Sequence, residues 1–164
     1  MCQQNEDSVW IRTNYIKKEY QIPMRDGIKL FTSVYMPKNP TGNNPILMMR
    51  TPYSCAPYGE ENWRAYWNSH YSYYMKENFI IVTQDVRGRF MSEGEFRDVR
   101  PYLPNKKANE TDEASDTYDA IDWLVKNIPS NNGRVGVAGI SYPGFYSTMA
   151  AMSGHPALKA VSPQ

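Results

Sequence analysis

Residues 139–144, Gly-Ile-Ser-Tyr-Pro-Gly, place a serine between two glycines where a strand pattern changes to a helix pattern. A serine in a sharp strand-to-helix turn projects its hydroxyl above the sheet edge, where it can attack a carbonyl carbon. Gly139 leaves room for the turn, and the backbone N–H of Tyr142 lies at the positive helix end, where an oxyanion would form. We therefore predict Ser141 as a nucleophile. A plain strand–helix turn that contains a serine is the alternative.

Residues 50–53, Arg-Thr-Pro-Tyr, follow an earlier strand pattern and form a second candidate. The loop at this place in the chain can supply another donor to an oxyanion. The phenol of Tyr53 is suited to this because it is a neutral donor at pH 7. A Pro-Tyr turn with no catalytic part is again the alternative.

The elements that must position these residues follow an alternating order. Asp26-Gly27 is a strong hairpin turn signal between the first two strands. Strands are predicted at 15–24, 28–36, 46–49, 79–82, 135–140 and 158–161. Helices are predicted at 62–76, at 111–128 and from the serine turn to residue 153. A leading hairpin followed by strand–helix alternation indicates an α/β fold with a mostly parallel sheet.

The composition excludes several classes of protein. Lys and Arg number 18 against 17 Asp and Glu, a net charge of +1, which gives no electrostatic support for nucleic-acid binding. Two cysteines cannot make a disulfide framework, and no apolar run is long enough for a membrane helix. Zinc-ligand spacing and a dinucleotide-binding glycine pattern are both missing. We therefore predict no metal, no cofactor and no nucleic-acid partner.

Three segments together resemble one family of enzymes: residues 50–53, residues 85–94 (Asp-Val-Arg-Gly-Arg-Phe-Met-Ser-Glu-Gly) and residues 139–144. The family contains cocaine esterase, α-amino acid ester hydrolases, glutaryl-7-aminocephalosporanic acid acylases and X-Pro dipeptidyl peptidases. The resemblance runs from about Lys17 to Gln164. Most serine turns of this kind carry glycine two residues after the serine, where this chain has Pro143. The family resembled here carries it three residues after, which matches Gly144.

The resemblance implies the N-terminal half of an α/β-hydrolase fold, ending before the cap and before the strands that carry the catalytic Asp and His. It also implies a serine hydrolase of esters or amides, either an acyl hydrolase or an enzyme similar to X-Pro dipeptidyl peptidases. Ser141 would be the nucleophile, and Gly139 and Gly144 would shape the elbow. Tyr142 would give its backbone N–H, and Tyr53 its hydroxyl, to the oxyanion. The expected substrate is a small ester, amide or peptide.

A nucleophilic serine needs a base and an acid that orients it. In this fold the order is Ser, then Asp or Glu, then His, yet no Asp or Glu follows Ser141. We interpret His155 as a polar turn residue and His70 as a packed or surface residue. We therefore expect the C-terminal portion of the same enzyme as a partner and the isolated chain to be inactive. A homo-oligomer is a further open alternative.

Other polar residues have simpler interpretations. We expect Asp85 and Arg87 to form a pair that shapes a loop. The carboxylates of residues 112–119 are expected to be a solvated helix start that suits the helix dipole. Cys55 has no evident base beside it and is expected to be a small loop residue.

Residues 1–14 are expected to be a polar tether, and residues 15–164 the N-terminal part of the catalytic domain. The first residues contain no apolar stretch of a signal peptide, which favours a cytoplasmic location. Cys2 after the initiating Met keeps open a bacterial periplasmic or lipoprotein location. A second function, from a different class, also stays open: a non-catalytic half-domain that acts only by assembly with its remainder.

Overall fold

The fold is built on one mixed sheet of six strands, in a computed structural model that describes residues 2–40 and 42–164. The strands are β1 (Tyr15–Pro23), β2 (Lys29–Pro37), β3 (Asn44–Thr51), β4 (Ile80–Asp85), β5 (Asn131–Gly139) and β6 (Leu158–Pro163). The helices are α1 (Cys2–Asn14), α2 (Tyr71–Lys76), α3 (Glu113–Asn127) and α4 (Tyr142–Ser153). Among the described residues, no helix has the length and apolar character needed to cross a membrane.

The strand order is β1-β2-β4-β3-β5-β6. The predicted hairpin is present, because β1 pairs with β2 in antiparallel register, and β2 continues antiparallel onto β4. The pairs β3–β4, β3–β5 and β5–β6 are parallel. The α/β class and the mostly parallel sheet are thus confirmed.

Two apolar clusters cover the two faces of the sheet. One packs Ile121 and Leu124 of α3 against strand residues such as Met48 and Val137. The other packs Ile11 of α1 and Met75 of α2 against the opposite face. Helices α2 and α3 therefore leave β3 and β4 toward opposite faces. In an α/β sheet this reversal opens a crevice at the carboxyl ends of the central strands, here between β3 and β5.

The segment expected to be a polar tether is helical over its described residues. Its last turns are anchored, because Ile11 is fully buried and Arg12 lies over the Trp67 ring at 5.1 Å. The polar run over residues 3–8 gave no sign of this contact. Met1 and the side chain of Cys2, on which the lipoprotein alternative rests, lie outside the described residues.

The predicted helix over 62–76 is wrong in extent. A short 3-10 helix (Tyr66–Asn68) is followed by the six-residue α2. Ser69 between them is extended, and its hydroxyl donates to the Tyr66 carbonyl at 2.9 Å. Serine side chains compete in this way with helical backbone hydrogen bonds, which interrupts the helix.

Candidate active site

Ser141 occupies the turn between β5 and α4 in a strained backbone conformation. Its φ of 64° and ψ of −125° lie in a region that residues other than glycine rarely adopt. Such strain costs about 1–3 kcal/mol and persists only where surrounding contacts impose it. The Ser141 N–H donates to the Gln164 carbonyl at 2.8 Å, and its carbonyl accepts from the Gly144 N–H at 2.9 Å. Ser141 is exposed and does not cap α4, so its hydroxyl is open to solvent.

Gly139 and Gly144 let this turn close. A Cβ atom at Gly139 would lie 2.3 Å from the carbonyl carbon and oxygen of Pro143. A Cβ atom at Gly144 would lie 2.4 Å from the carbonyl oxygen of Gln164. Both distances are far inside van der Waals contact, so backbone atoms of neighbouring segments fill the space that a side chain would need. The tight turn predicted from the motif is therefore present, and packing requires both glycines.

Tyr53 lies in the loop after β3. Strand β3 pairs with β5, which leads to Ser141. The Tyr53 side chain is 62% exposed, and the Tyr53 N–H donates to the Thr51 hydroxyl at 3.0 Å. The Tyr53 ring meets the Tyr142 ring edge-on, with centroids 6.3 Å apart. The fold thus brings together the two tyrosines that the sequence separates by almost ninety positions.

Asp85, the last residue of β4, holds the Tyr53 loop. Its buried carboxylate accepts from the Cys55 N–H at 2.7 Å and from the Tyr58 hydroxyl at 2.9 Å. Burial, with this carboxylate beside the phenol, raises the pKa of Tyr58 to about 12. Burial also raises the pKa of the Cys55 thiol well above its ordinary value, and Asp85 adds to the rise. Cys55 is therefore a neutral packed thiol, as its sequence context indicates.

The expected pairing of Asp85 with Arg87 is wrong. Arg87 instead contacts Asp26 of the hairpin turn at 2.7 Å and Asp116 of α3 at 2.7 Å. The two side chains belong to different networks because Asp85 points toward the loop after β3, whereas Arg87 reaches the start of α3.

The carboxylates of α3 are also not the solvated helix start that the sequence indicated. Glu113 and Asp116 are buried, and they contact three arginines that come from the end of β3 and from the long loop before α3. The shortest ion pairs are Arg50–Glu113 at 3.0 Å, Arg87–Asp116 at 2.7 Å and Arg100–Asp116 at 2.5 Å. These five residues form what we call the arginine–carboxylate cluster. Burial alone would raise the pKa of Asp116, but the hydrogen bond from Arg87 and the charges of Arg50 and Arg100 hold it below its ordinary value.

The rest of this acidic segment is paired as well. Asp112 is buried and caps α3, where it accepts from the Ser115 N–H at 2.7 Å and from Lys106 at 2.8 Å. Asp119 is partly buried and pairs with Arg25 at 2.8 Å. No sequence signal distinguishes such carboxylates from solvated ones, because all their cationic partners except Lys106 lie far away along the chain.

The Tyr142 side chain ties the elbow to the long loop before α3. Its hydroxyl donates to Asp98 Oδ1 and accepts from the Val99 N–H at 2.9 Å. Its ring stacks on Tyr146, with centroids 5.2 Å apart. Burial, followed by the hydrogen bond to Asp98, raises the pKa of the Tyr142 phenol. The sequence analysis assigned this residue only a backbone role and missed the side-chain contact.

Neither histidine lies at the elbow. His155 follows the far end of α4, which has 12 residues and so spans about 18 Å from Ser141. It is buried in a turn, where its Nδ1 accepts from the Ala157 N–H at 3.0 Å, as expected for a turn residue. His70 precedes α2 on the surface and stacks on Tyr71. Within the described residues, no group of three metal-ligating side chains is placed to hold an ion.

Residues 26–164 match the sequence model of the X-Pro dipeptidyl-peptidase (S15) family. The chain belongs to this family. Its resemblance to that group of enzymes is thereby confirmed. The matched residues include the hairpin turn, the Tyr53 loop and the serine turn.

Individual relatives agree with this assignment. Cocaine esterase of Rhodococcus sp. (strain MB1 Bresler) is 32% identical over 151 residues, which are 92% of this chain and 24% of that enzyme. An aminopeptidase structure from a marine sediment Thaumarchaeota archaeon is 42% identical, with a TM-score of 0.81 over 92% of this chain and 25% of its own. An α-amino acid ester hydrolase structure is 42% identical, with a TM-score of 0.77 over 90% of this chain and 25% of its own. The chain thus spans about a quarter of the length of these relatives.

Proposed function

We propose that this chain carries the nucleophile and oxyanion site of a serine hydrolase that cleaves esters or amides through an acyl-enzyme. The observation that carries the proposal is the strained, exposed Ser141, held between two glycines at the carboxyl end of β5. Strain of this kind concentrates at functional sites. A turn with only a structural role could carry a residue that adopts this backbone conformation without strain. Membership of a family of hydrolases supports the same reaction class.

In the proposed reaction Ser141 Oγ attacks the substrate carbonyl carbon while its proton passes to a general base. The carbonyl oxygen becomes an oxyanion, which accepts hydrogen bonds from the Tyr142 N–H and the Tyr53 hydroxyl. The tetrahedral intermediate collapses, and the alcohol or amine leaves with the proton from the base. Water then attacks the acyl-enzyme by the same route and restores Ser141. The edge-on contact of the Tyr53 and Tyr142 rings supports a shared oxyanion site.

The base and its orienting acid come, in this proposal, from polypeptide beyond the residues described here. His155 is placed at the wrong end of α4 for the task. Strand β6 is exposed from Lys159 onward, which is compatible with further chain packing beside it. We therefore infer that the C-terminal portion of the enzyme completes the catalytic group.

A fluorophosphonate probe tests the nucleophile directly, because it phosphonylates only activated serines. In the complete enzyme we expect labelling at Ser141 and loss of both labelling and hydrolysis in Ser141→Ala. Ser162→Ala removes an exposed serine of β6 and is the matched control, expected to label like the unsubstituted enzyme. Hydrolysis that survives Ser141→Ala would contradict the proposal.

Tyr53→Phe tests the second oxyanion donor. Loss of one such donor typically slows kcat by about 10²–10³-fold, and we expect a fall of this order with little change in the folded structure. Tyr73→Phe, at an exposed tyrosine of α2, serves as the control and should keep full activity. A Tyr53→Phe enzyme that turns over at full rate would remove this role.

Assembly is the second candidate function. The exposure of β6 at the sheet edge favours a chain that pairs with other polypeptide, whether or not that polypeptide completes a catalytic group.

A further inference from the structure

Val99 holds a backbone conformation that its side chain disfavours. Its φ is 43°, in the left-handed region that a β-branched residue rarely adopts. Its side chain is 53% exposed, so burial of the valine does not compensate for the strain. Strain of this kind persists only where neighbouring contacts impose the conformation.

The contacts that impose it come from the serine elbow on one side and from α3 on the other. The Val99 N–H donates to the Tyr142 hydroxyl at 2.9 Å, and that hydroxyl donates to Asp98. The next residue, Arg100, is held in the arginine–carboxylate cluster by Glu113 and Asp116. The turn is therefore fixed on both sides, and one anchor is the residue that directly follows Ser141.

We propose that Val99 forms an apolar wall of the substrate cleft and that Asp98 and the Tyr142 hydroxyl are positioning groups that hold it there. This inference rests on the proposed function and adds a determinant of substrate preference to it. The Tyr142 hydroxyl binds the Val99 amide, and the Tyr142 ring contacts the Tyr53 ring. The elbow, the Tyr53 loop and Val99 are thus joined through the Tyr142 side chain. Val99 would contact an apolar acyl or leaving group of the substrate.

The size of the effect follows from the chemistry of apolar contacts. Adding or removing a methylene in an apolar pocket changes discrimination by about 10–200-fold when the pocket is closed. A half-exposed wall should discriminate less strongly than a closed pocket. We therefore expect a change below that range but of at least about threefold in the preference for a long over a short alkyl group.

The experiment compares the rates at which ethyl and octyl fluorophosphonates label Ser141 in the complete enzyme. Val99→Ala should lower the octyl-to-ethyl rate ratio by at least about threefold, because the apolar contact is lost. Leu103→Ala, which truncates another exposed apolar residue of the same loop, is the matched control and should leave the ratio unchanged. The Leu103 segment is tied to Asp112 at the start of α3 rather than to the elbow.

Asp98→Ala separates positioning from a merely structural role. It should lower the same ratio and should speed hydrogen exchange of the Val99 amide. In a Val99→Ala background it should have no further effect on the ratio, because the wall it holds is already gone. A change in melting temperature without a change in the ratio would contradict the positioning role.

Val99→Asn tests the link between strain and selectivity. Asparagine tolerates the left-handed region, so this variant should melt no lower than the unsubstituted enzyme while losing the preference for the octyl probe. Normal ratios in both Val99→Ala and Val99→Asn would overturn the inference while Ser141 labelling, and with it the proposed function, stands. Absence of Ser141 labelling in the unsubstituted enzyme would instead overturn the proposed function and this inference together.

Discussion

A single methyl group added at Gly144 would collide with the backbone oxygen of Gln164, which lies 2.4 Å from the Cβ position. Backbone cannot move aside as a flexible side chain can, so Gly144→Ala should destabilise the fold. Overpacking of this kind costs typically about 1–3 kcal/mol of unfolding free energy. Urea denaturation of the purified chain, followed by circular dichroism, measures the loss.

Gly136→Ala is the control for this prediction. It lies on β5, three residues before Gly139, but its Cβ position has ordinary contacts, the nearest being Leu47 Cδ1 at 3.7 Å. We expect its unfolding free energy to stay the same or to rise, because alanine loses less backbone entropy than glycine on folding. Equal losses in both variants would show that the elbow does not require glycine at position 144.

At the scale of single elements, α3 is held by buried charges. Breaking a buried ion pair by removing one partner costs about 3–5 kcal/mol, because the other charge stays buried and unpaired. Asp116→Ala would remove the contact of 2.7 Å to Arg87 and the contact of 2.5 Å to Arg100 and leave an excess of positive charge among buried groups, so we expect a loss of that order. Thermal and urea denaturation of the variant measure it.

Lys126→Ala provides the comparison on the same helix. Lys126 pairs with Asp122 at 2.7 Å on the surface, four residues apart, with 67% and 37% of the side chains exposed. Pairs of this kind contribute about 0.3–0.5 kcal/mol. A loss in Asp116→Ala as small as that in Lys126→Ala would contradict the structural role of the arginine–carboxylate cluster.

The turn after α4 makes stability depend on pH. Burial lowers the pKa of His155, although the negative charge of Asp122, whose Oδ1 lies 3.7 Å from His155 Nε2, opposes the shift. Lys126 and the Tyr118 ring also lie nearby. The folded state therefore favours neutral imidazole. Its contribution to stability is complete above the unfolded pKa of about 6.5 and is lost as pH falls through the lower folded pKa.

We therefore expect the melting temperature to fall as pH is lowered from about 7 toward 5, and to fall less in His155→Gln. The chain has only two histidines, so little else titrates in this window. His70→Gln, at the exposed histidine before α2, should keep the full pH dependence. An identical pH dependence in His155→Gln and the unsubstituted chain would contradict the assignment.

In the whole molecule, strand β6 is exposed at one edge of the sheet. Val161 within this strand and Ile140, directly after β5, are exposed apolar side chains. Open strand edges with apolar neighbours favour association. We expect the 164-residue chain alone to associate in sedimentation velocity. We also expect no significant hydrolysis, because in the part of the chain that the structure describes neither histidine lies near Ser141.

Val161→Lys should reduce that association, since a lysine on an edge strand opposes pairing with another chain. Val9→Lys changes an exposed valine of α1, the helix that leads into β1 at the opposite edge of the sheet, and should not reduce it. A monomeric chain with robust turnover would contradict both the assembly proposal and the inference that the base comes from elsewhere.

Features that depend on neighbouring residues could be predicted from the amino-acid sequence. Short apolar runs and spaced apolar positions indicated the strands, Asp26-Gly27 indicated the hairpin, and the two glycines around Ser141 indicated the elbow. These are local because a turn or a strand face depends on residues a few positions apart. The α/β class and the family followed from them.

The partners of the α3 carboxylates and of the Tyr142 hydroxyl became known only from the three-dimensional fold. Asp116 is buried because Arg50, Arg87 and Arg100 converge on it from other elements, and a carboxylate without those partners would face water. Val99 is held by a hydroxyl 43 positions away along the chain. Such contacts depend on how strands and loops meet in space, and no local pattern of residue types encodes that.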